Sequence, residues 1–151
     1  MAQQRTWVAI ATLGPLGYLP ASGTLGALCG IPLSYAIKYY TNTLISEFLI
    51  LLVLTLCSYY LIGKAYRHFT QKDPSQIILD EVVGCLWVFF GIPLTIPVII
   101  TGFCIFRILD ITKIFGIRYC EKASGAMGIL LDDVVAGIFT NLILCLVLLL
   151  V

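Results

Sequence analysis

Two acidic pairs with the same flanking residues could support metal chemistry in this chain. Asp80-Glu81 and Asp132-Asp133 each follow a leucine and precede two valines and a small residue. We expect each pair just before an apolar helix, where a carboxylate is costly unless a cation pairs with it. A single pair would indicate helix capping. The repetition, with Asp110 as a fifth acidic residue, favours a shared Mg²⁺ site, because Mg²⁺ prefers carboxylate oxygens.

The basic residues beside these pairs could complement such a site. Arg107, Asp110 and Lys113 are spaced three residues apart, so they share one helical face and could bind both metal and phosphate. The alternative is a solvated salt-bridged turn or an anchor for lipid headgroups. The chain has one histidine, no C-x5-R nucleophile and no D-x-D-x-[TV] motif. These are the nucleophiles of phosphatases that form a covalent intermediate. With no such candidate here, the sequence predicts that a metal-activated water attacks the phosphate.

The composition is that of a membrane protein. Of 151 residues, 60% are hydrophobic and 11% are charged, whereas a soluble domain has about 25% charged residues. The length fits one domain, residues 1–151, with a few spanning helices. The net charge of +1 gives no indication of nucleic-acid binding.

The spacing of apolar segments predicts an all-α, multi-pass helical membrane bundle. We expect a loop over 7–24 and helices over 25–38, 44–63 and 134–151. In the segment 82–106, Gly91-Ile92-Pro93 and Pro97 interrupt the helix, because proline removes a backbone donor. We therefore predict a broken, re-entrant helical hairpin there. The alternative is a single kinked span.

Charge asymmetry favours the hairpin. Of the 17 charged residues, 14 lie in the stretches 64–81 and 107–133. A hairpin places both stretches on one face, which the positive-inside rule makes cytoplasmic. A kinked span would place them on opposite faces, and the two acidic pairs could not meet.

Four blocks of the chain resemble the phosphatidylglycerophosphatase A family. That family carries P-G-T-x-G, D-P-S-x-I-x-x-D-E-x-x-G, F-R-x-x-D-x-x-K-P-x-P-I-R and G-G-x-G-I-M-x-D-D-x-x-A-G in this order. The corresponding blocks here are Ser22–Gly26, Asp73–Gly84, Phe106–Arg118 and Gly125–Gly137. Ser22 occupies the position of the proline in the first block, and the third block lacks both of its prolines. No acidic residue of the motifs is lost.

The resemblance implies an all-helical hydrolase of phospholipid biosynthesis in the bacterial inner membrane. Its substrate would be phosphatidylglycerophosphate, its cofactor Mg²⁺ and its active site cytoplasmic. The predicted catalytic and metal-binding residues are Asp80, Glu81, Asp132 and Asp133, with Asp110 as a further metal ligand. The predicted phosphate-binding residues are Arg107, Lys113, Arg118 and Thr24.

Two other functions are open at this point. A CDP-alcohol phosphotransferase also uses aspartates and metal at the membrane edge, but its D-G-x-x-A-R block is absent here. A small membrane transporter or channel subunit also has broken helices and intramembrane acids. Its charges would be expected near the bilayer midplane, whereas here they lie at segment ends.

Overall fold

A computed structural model describes residues 2–71, 74–114, 117, 123 and 125–150. Within these residues the chain forms six α-helices and one short 3₁₀ helix, Gly14–Tyr18, and no strand. The all-helical prediction is confirmed. The α-helices are α1 (Ala2–Ala11), α2 (Ser22–Tyr40), α3 (Leu44–Tyr66), α4 (Leu79–Val88), α5 (Ile96–Thr112) and α6 (Ala126–Leu150).

Helices α3 and α6 are long and apolar enough to cross a membrane. They contain 23 and 25 residues, which at about 1.5 Å per residue exceeds the roughly 30 Å hydrocarbon core of a bilayer. The Thr43 side chain caps α3 by accepting a hydrogen bond from the Ser46 amide. Two such helices are compatible with membrane localisation, and the number of passes stays a prediction.

Three predicted boundaries are wrong. The expected loop over 7–24 contains the end of α1, because Trp7, Val8 and Ala11 pack in a core cluster with α3 residues such as Ile62. Helix α2 begins at Ser22 and continues through Pro32 to Tyr40. Helix α6 begins at Ala126, eight residues before the expected start, so the second acidic pair lies inside a helix rather than before one.

The predicted break lies between α4 and α5. Gly91 adopts a left-handed φ of 67° there, and Pro97 occupies the first turn of α5, where its missing N–H costs nothing. The chain folds back at this point, since the start of α4 and the end of α5 line one cavity. Entry of this hairpin into a membrane from one face stays a prediction.

Polar side chains from both candidate spans satisfy the backbone at this break. The Asn141 side-chain amide on α6 donates to the carbonyls of Val88 and Phe90, at 2.9 and 2.8 Å. Glu47 on α3 accepts from the Gly91 amide at 3.3 Å and from Lys38 at 2.7 Å. Broken backbone is tolerated at membrane depth only where the protein satisfies its polar groups.

We expect Asn141→Ala to destabilise the protein by roughly 1–3 kcal/mol, because it leaves two carbonyls without their donor. Thermal unfolding in detergent measures the change. Asn42→Ala is the matched control, because Asn42 is exposed in the α2–α3 connection and its loss should leave the transition unchanged. Equal transitions for the two variants would show that Asn141 does not support the break.

Glycines bring α4 into close contact with α2 and α6. A Cβ on Gly84 would lie 2.7 Å from the Asp133 carbonyl oxygen, and one on Gly137 would collide with the Gly84 carbonyl. On the α2 side, a Cβ on Gly30 would lie 2.6 Å from the Cys85 Cβ, and one on Gly26 would lie 2.7 Å from the carbonyl oxygen of Ile78. These contacts hold the first acidic pair, on α4, against the second, on α6.

Candidate active site

One cavity of about 420 Å³ collects most of the predicted site residues. All five predicted acidic residues and two of the three predicted basic residues line it. They are Asp80, Glu81, Asp110, Asp132, Asp133, Arg107 and Lys113. The other described residues of the wall are small, apolar or hydroxyl-bearing.

Three of the carboxylates form a tight cluster. Asp80, Glu81 and Asp133 each place one oxygen within 4.8 Å of the others. Asp80 and Glu81 are the second and third residues of α4, and at a helix start neighbouring side chains can converge. Asp80 Oδ1 and Glu81 Oε2 are buried and have no hydrogen-bond partner among the described residues. A buried carboxylate oxygen without a donor is costly, so this geometry suits a cation.

Burial raises the pKa of both carboxyl groups of the first acidic pair, which lies outside the two candidate spans. It raises the pKa of the Asp80 carboxyl well above its ordinary value, and the neighbouring Glu81 charge raises that pKa further. Burial also raises the pKa of Glu81 to about 7. Adjacent buried carboxylates repel each other as anions. A divalent cation would offset that repulsion, and an all-carboxylate donor set fits Mg²⁺.

Asp132 stands apart from this cluster. Successive residues of a helix point about 100° apart, and inside α6 one member of the second pair contributes to the cluster with Asp80 and Glu81. That residue is Asp133. The Asp132 Oδ2 lies 2.8 Å from the Nζ of Lys113, which follows α5. The expectation that the second pair precedes its helix is therefore corrected, and metal ligation by Asp132 stays a prediction.

Arg107 and Asp110 form an ion pair on one face of α5, as their spacing predicts. The Arg107 Nε is buried without a hydrogen-bond partner among the described residues. A Cβ on Gly23 would lie 3.2 Å from the Arg107 Nη2 and would collide with Glu81 Oε1. Gly23 therefore leaves room for the guanidinium beside the acidic cluster, where that cation could donate hydrogen bonds to a phosphate.

Two predicted phosphate-binding residues are not brought to the cavity by the described structure. Thr24 is on α2 but is not among the described residues that line the cavity. Arg118 lies outside the described residues. Their roles stay predictions.

Sequence reasoning did not assign two serines that line the cavity. The Ser22 Oγ donates to the Ser75 carbonyl at 2.8 Å and joins the start of α2 to the segment before α4. Ser75 lies in the D-P-S block, and Ser22 replaces the proline of the family pattern. Their positions in two motif blocks were the signal that could have marked these serines as site residues. A contact across 53 residues could not be predicted from those positions.

Comparison with known proteins gives the family of this chain. A model described as phosphatidylglycerophosphatase A matches residues 9–148. The chain belongs to the phosphatidylglycerophosphatase A family. It is therefore a phosphatase that acts on a phosphomonoester, and the transporter and phosphotransferase alternatives are set aside.

Individual relatives agree with this assignment. The chain is 35% identical over 129 residues to a phosphatidylglycerophosphatase A of Haemophilus influenzae, covering 82% of this chain and 77% of the relative. It is 32% identical over 125 residues to the phosphatidylglycerophosphatase A of Escherichia coli, covering 78% and 69%.

A third relative has a different name. The chain is 31% identical over 140 residues to a "Putative phosphatidylinositol-3-phosphatase" of Bacteroides thetaiotaomicron, covering 85% of this chain and 84% of the relative. No solved structure matches the chain.

Proposed function

We propose that this protein hydrolyses phosphatidylglycerophosphate to phosphatidylglycerol and phosphate, with Mg²⁺ held by Asp80, Glu81 and Asp133. The observation that carries this proposal is the largely buried three-carboxylate cluster in a cavity that also contains Arg107 and Lys113. Two of the relatives are named for this substrate. Metal-assisted hydrolysis of a phosphomonoester uses both elements, carboxylates that hold the metal and cations that bind the phosphate charge.

The residues divide the chemistry as follows. Asp80, Glu81 and Asp133 would hold Mg²⁺, which would supply positive charge against the phosphoryl oxygens and make a water molecule a stronger nucleophile. Arg107 and Lys113 hold phosphate charge, which increases towards the transition state. The oxygen of water bonds to phosphorus and the bond from phosphorus to the glycerol oxygen breaks. One carboxylate of the cavity accepts a proton of the water, and the glycerol oxygen takes up a proton as it leaves as the alcohol.

The identity of the lipid is tested by direct comparison of substrates. Purified protein in detergent micelles is given phosphatidylglycerophosphate or phosphatidylinositol 3-phosphate at equal surface concentration, and released phosphate is measured. We expect faster release from phosphatidylglycerophosphate. Faster release from the inositol lipid would replace the proposed substrate with the one named for the Bacteroides relative. No release from either lipid would contradict both.

We place the protein in the bacterial inner membrane with the cavity on the cytoplasmic face. Lys64 and Arg67 lie at the end of α3 that adjoins the start of α6, where the Gly63 Cα faces Ala126. A cytoplasmic cavity is supported by these cations and by Arg107 and Lys113, since cytoplasmic ends are enriched in lysine and arginine.

Cysteine labelling in sealed, oriented vesicles tests this topology. In a variant without accessible native cysteines, His68→Cys and Thr112→Cys should react from the same side, and Asn42→Cys should react from the other. All three positions are exposed. Labelling of His68→Cys and Thr112→Cys from opposite sides would contradict the re-entrant hairpin.

We expect Arg107→Lys to lower kcat/KM about ten- to hundredfold. Arginine can hold a phosphate through two parallel hydrogen bonds that lysine cannot reproduce, and a charge-assisted bond contributes roughly 1.5–3 kcal/mol. Steady-state assays at saturating Mg²⁺ measure the loss. Arg67→Lys is the matched control, because Arg67 is exposed and outside the cavity. An Arg107→Lys variant within about twofold of wild type would make this residue a headgroup anchor.

A further inference from the structure

Lys113 has an unusual backbone position at the edge of the cavity. It caps the end of α5, and its amide donates to the Leu109 carbonyl at 2.8 Å. Its φ of 49° lies in the left-handed region, where glycine is the usual residue at a helix end. A lysine at this position turns the chain away from α5 while its side chain lines the cavity.

Asp132 reaches this lysine from a different helix. The two side chains form an ion pair of 2.8 Å, and they are only 9% and 19% exposed for Asp132 and Lys113, respectively. A largely buried pair of this length restricts a side chain that would otherwise have many rotamers. The contact therefore sets the position of the Lys113 ammonium relative to α6.

The two neighbouring aspartates line the same cavity but have different partners. Asp133 contributes to the cluster with Asp80 and Glu81, within 4.8 Å. Asp132, about 100° further round the same helix, is not a member of that cluster. The Asp133 carboxylate thus lies among other acids, whereas the Asp132 carboxylate, whose charge also acts on Asp80, pairs with a cation.

We propose that Asp132 is a positioning residue that holds Lys113 as a second phosphate-binding cation beside Arg107. The inference rests on the proposed function and assigns the two aspartates of the repeated motif to different tasks. Asp133 binds the metal, and Asp132 orients the cation. The Lys113 ammonium has three donors, so it can keep Asp132 and still donate to a phosphoryl oxygen.

Two binding measurements test this assignment without turnover. The first is Mn²⁺ binding to purified protein, followed by electron paramagnetic resonance of the free ion. Asp133→Asn should weaken Mn²⁺ binding at least tenfold, whereas Asp132→Asn and Lys113→Met should stay within about threefold of wild type. The second is binding of inorganic phosphate at saturating Mn²⁺. Asp132→Asn and Lys113→Met should each weaken it about tenfold, and the double variant should be no weaker than Lys113→Met alone.

The outcomes separate this inference from the proposed function. Loss of Mn²⁺ binding in Asp132→Asn equal to that in Asp133→Asn would make Asp132 a ligand and overturn the inference. The inference would also be overturned if the double variant weakened phosphate binding by the product of the two single-variant effects. If Asp132→Asn does not fold, Lys113→Met still decides, since loss of Mn²⁺ binding in that variant contradicts the division of tasks. The proposed function instead fails if wild-type protein releases no phosphate from the lipid.

Discussion

Asp133→Asn is expected to lower Mg²⁺-dependent phosphate release by roughly 10³-fold or more. The residue supplies one of three clustered oxygens, and a metal contributes several kcal/mol to stabilising charge in the transition state. The variant should still fold, because an amide is isosteric with the carboxylate and removes repulsion from Asp80 and Glu81. Initial rates across a Mg²⁺ titration, together with thermal unfolding in detergent, measure both effects. Asp80→Asn should behave in the same way.

Glu47→Gln is the control for removal of a buried carboxylate. Glu47 is only 7% exposed but pairs with Lys38 beside the helix break, outside the cavity. Its replacement should leave the Mg²⁺ dependence unchanged even if the melting temperature falls. Wild-type rates in the Asp133→Asn variant would show that Asp133 is not part of the metal site.

Gly137→Ala is expected to destabilise the protein by roughly 1–3 kcal/mol, the usual cost of overpacking, and to lower activity strongly. Its new methyl group would collide with the Gly84 carbonyl on α4. Backbone cannot move aside as a flexible side chain can, so α4 and α6 must separate. That separation moves Asp133 away from Asp80 and Glu81. Unfolding in detergent and steady-state rates measure the two consequences.

Gly63→Ala provides the matched comparison in the other candidate span. Among the residues that the structure describes, a Cβ at Gly63 would meet only the Ala126 Cβ, at an ordinary 3.7 Å. Alanine is favoured over glycine inside a helix by roughly 0.5–1 kcal/mol, so this variant should be neutral or more stable. If Gly137→Ala is equally well tolerated, the close contact of α4 and α6 does not hold the cluster together.

The convergence of Asp80, Glu81 and Asp133 could be predicted from the sequence, whereas their binding of a metal stays a prediction. Asp80, Glu81 and Asp133 needed only a repeated motif and the cost of a bare carboxylate in hydrocarbon. The different position of Asp132 could not be predicted, because it depends on where α6 begins. Two glycines, Gly125 and Gly128, made that start resemble a loop.

The break between α4 and α5 was predictable for a similar reason. Proline and glycine act locally on the backbone, so Gly91 and Pro93 were informative without tertiary contacts. The partners that satisfy the broken backbone were not predictable, since Asn141 lies about 50 residues from the carbonyls that it binds. Helix α1 was missed because its stability comes from packing against α3 rather than from its own sequence.

Metal dependence of the wild-type protein is the most direct test of the central claim. Phosphate release from phosphatidylglycerophosphate is measured after treatment with EDTA, and again after Mg²⁺ is added in excess. The largely buried cluster of Asp80, Glu81 and Asp133 predicts that release stops with the chelator and returns with Mg²⁺. Release that continues unchanged in EDTA would contradict a metal-dependent mechanism at this site.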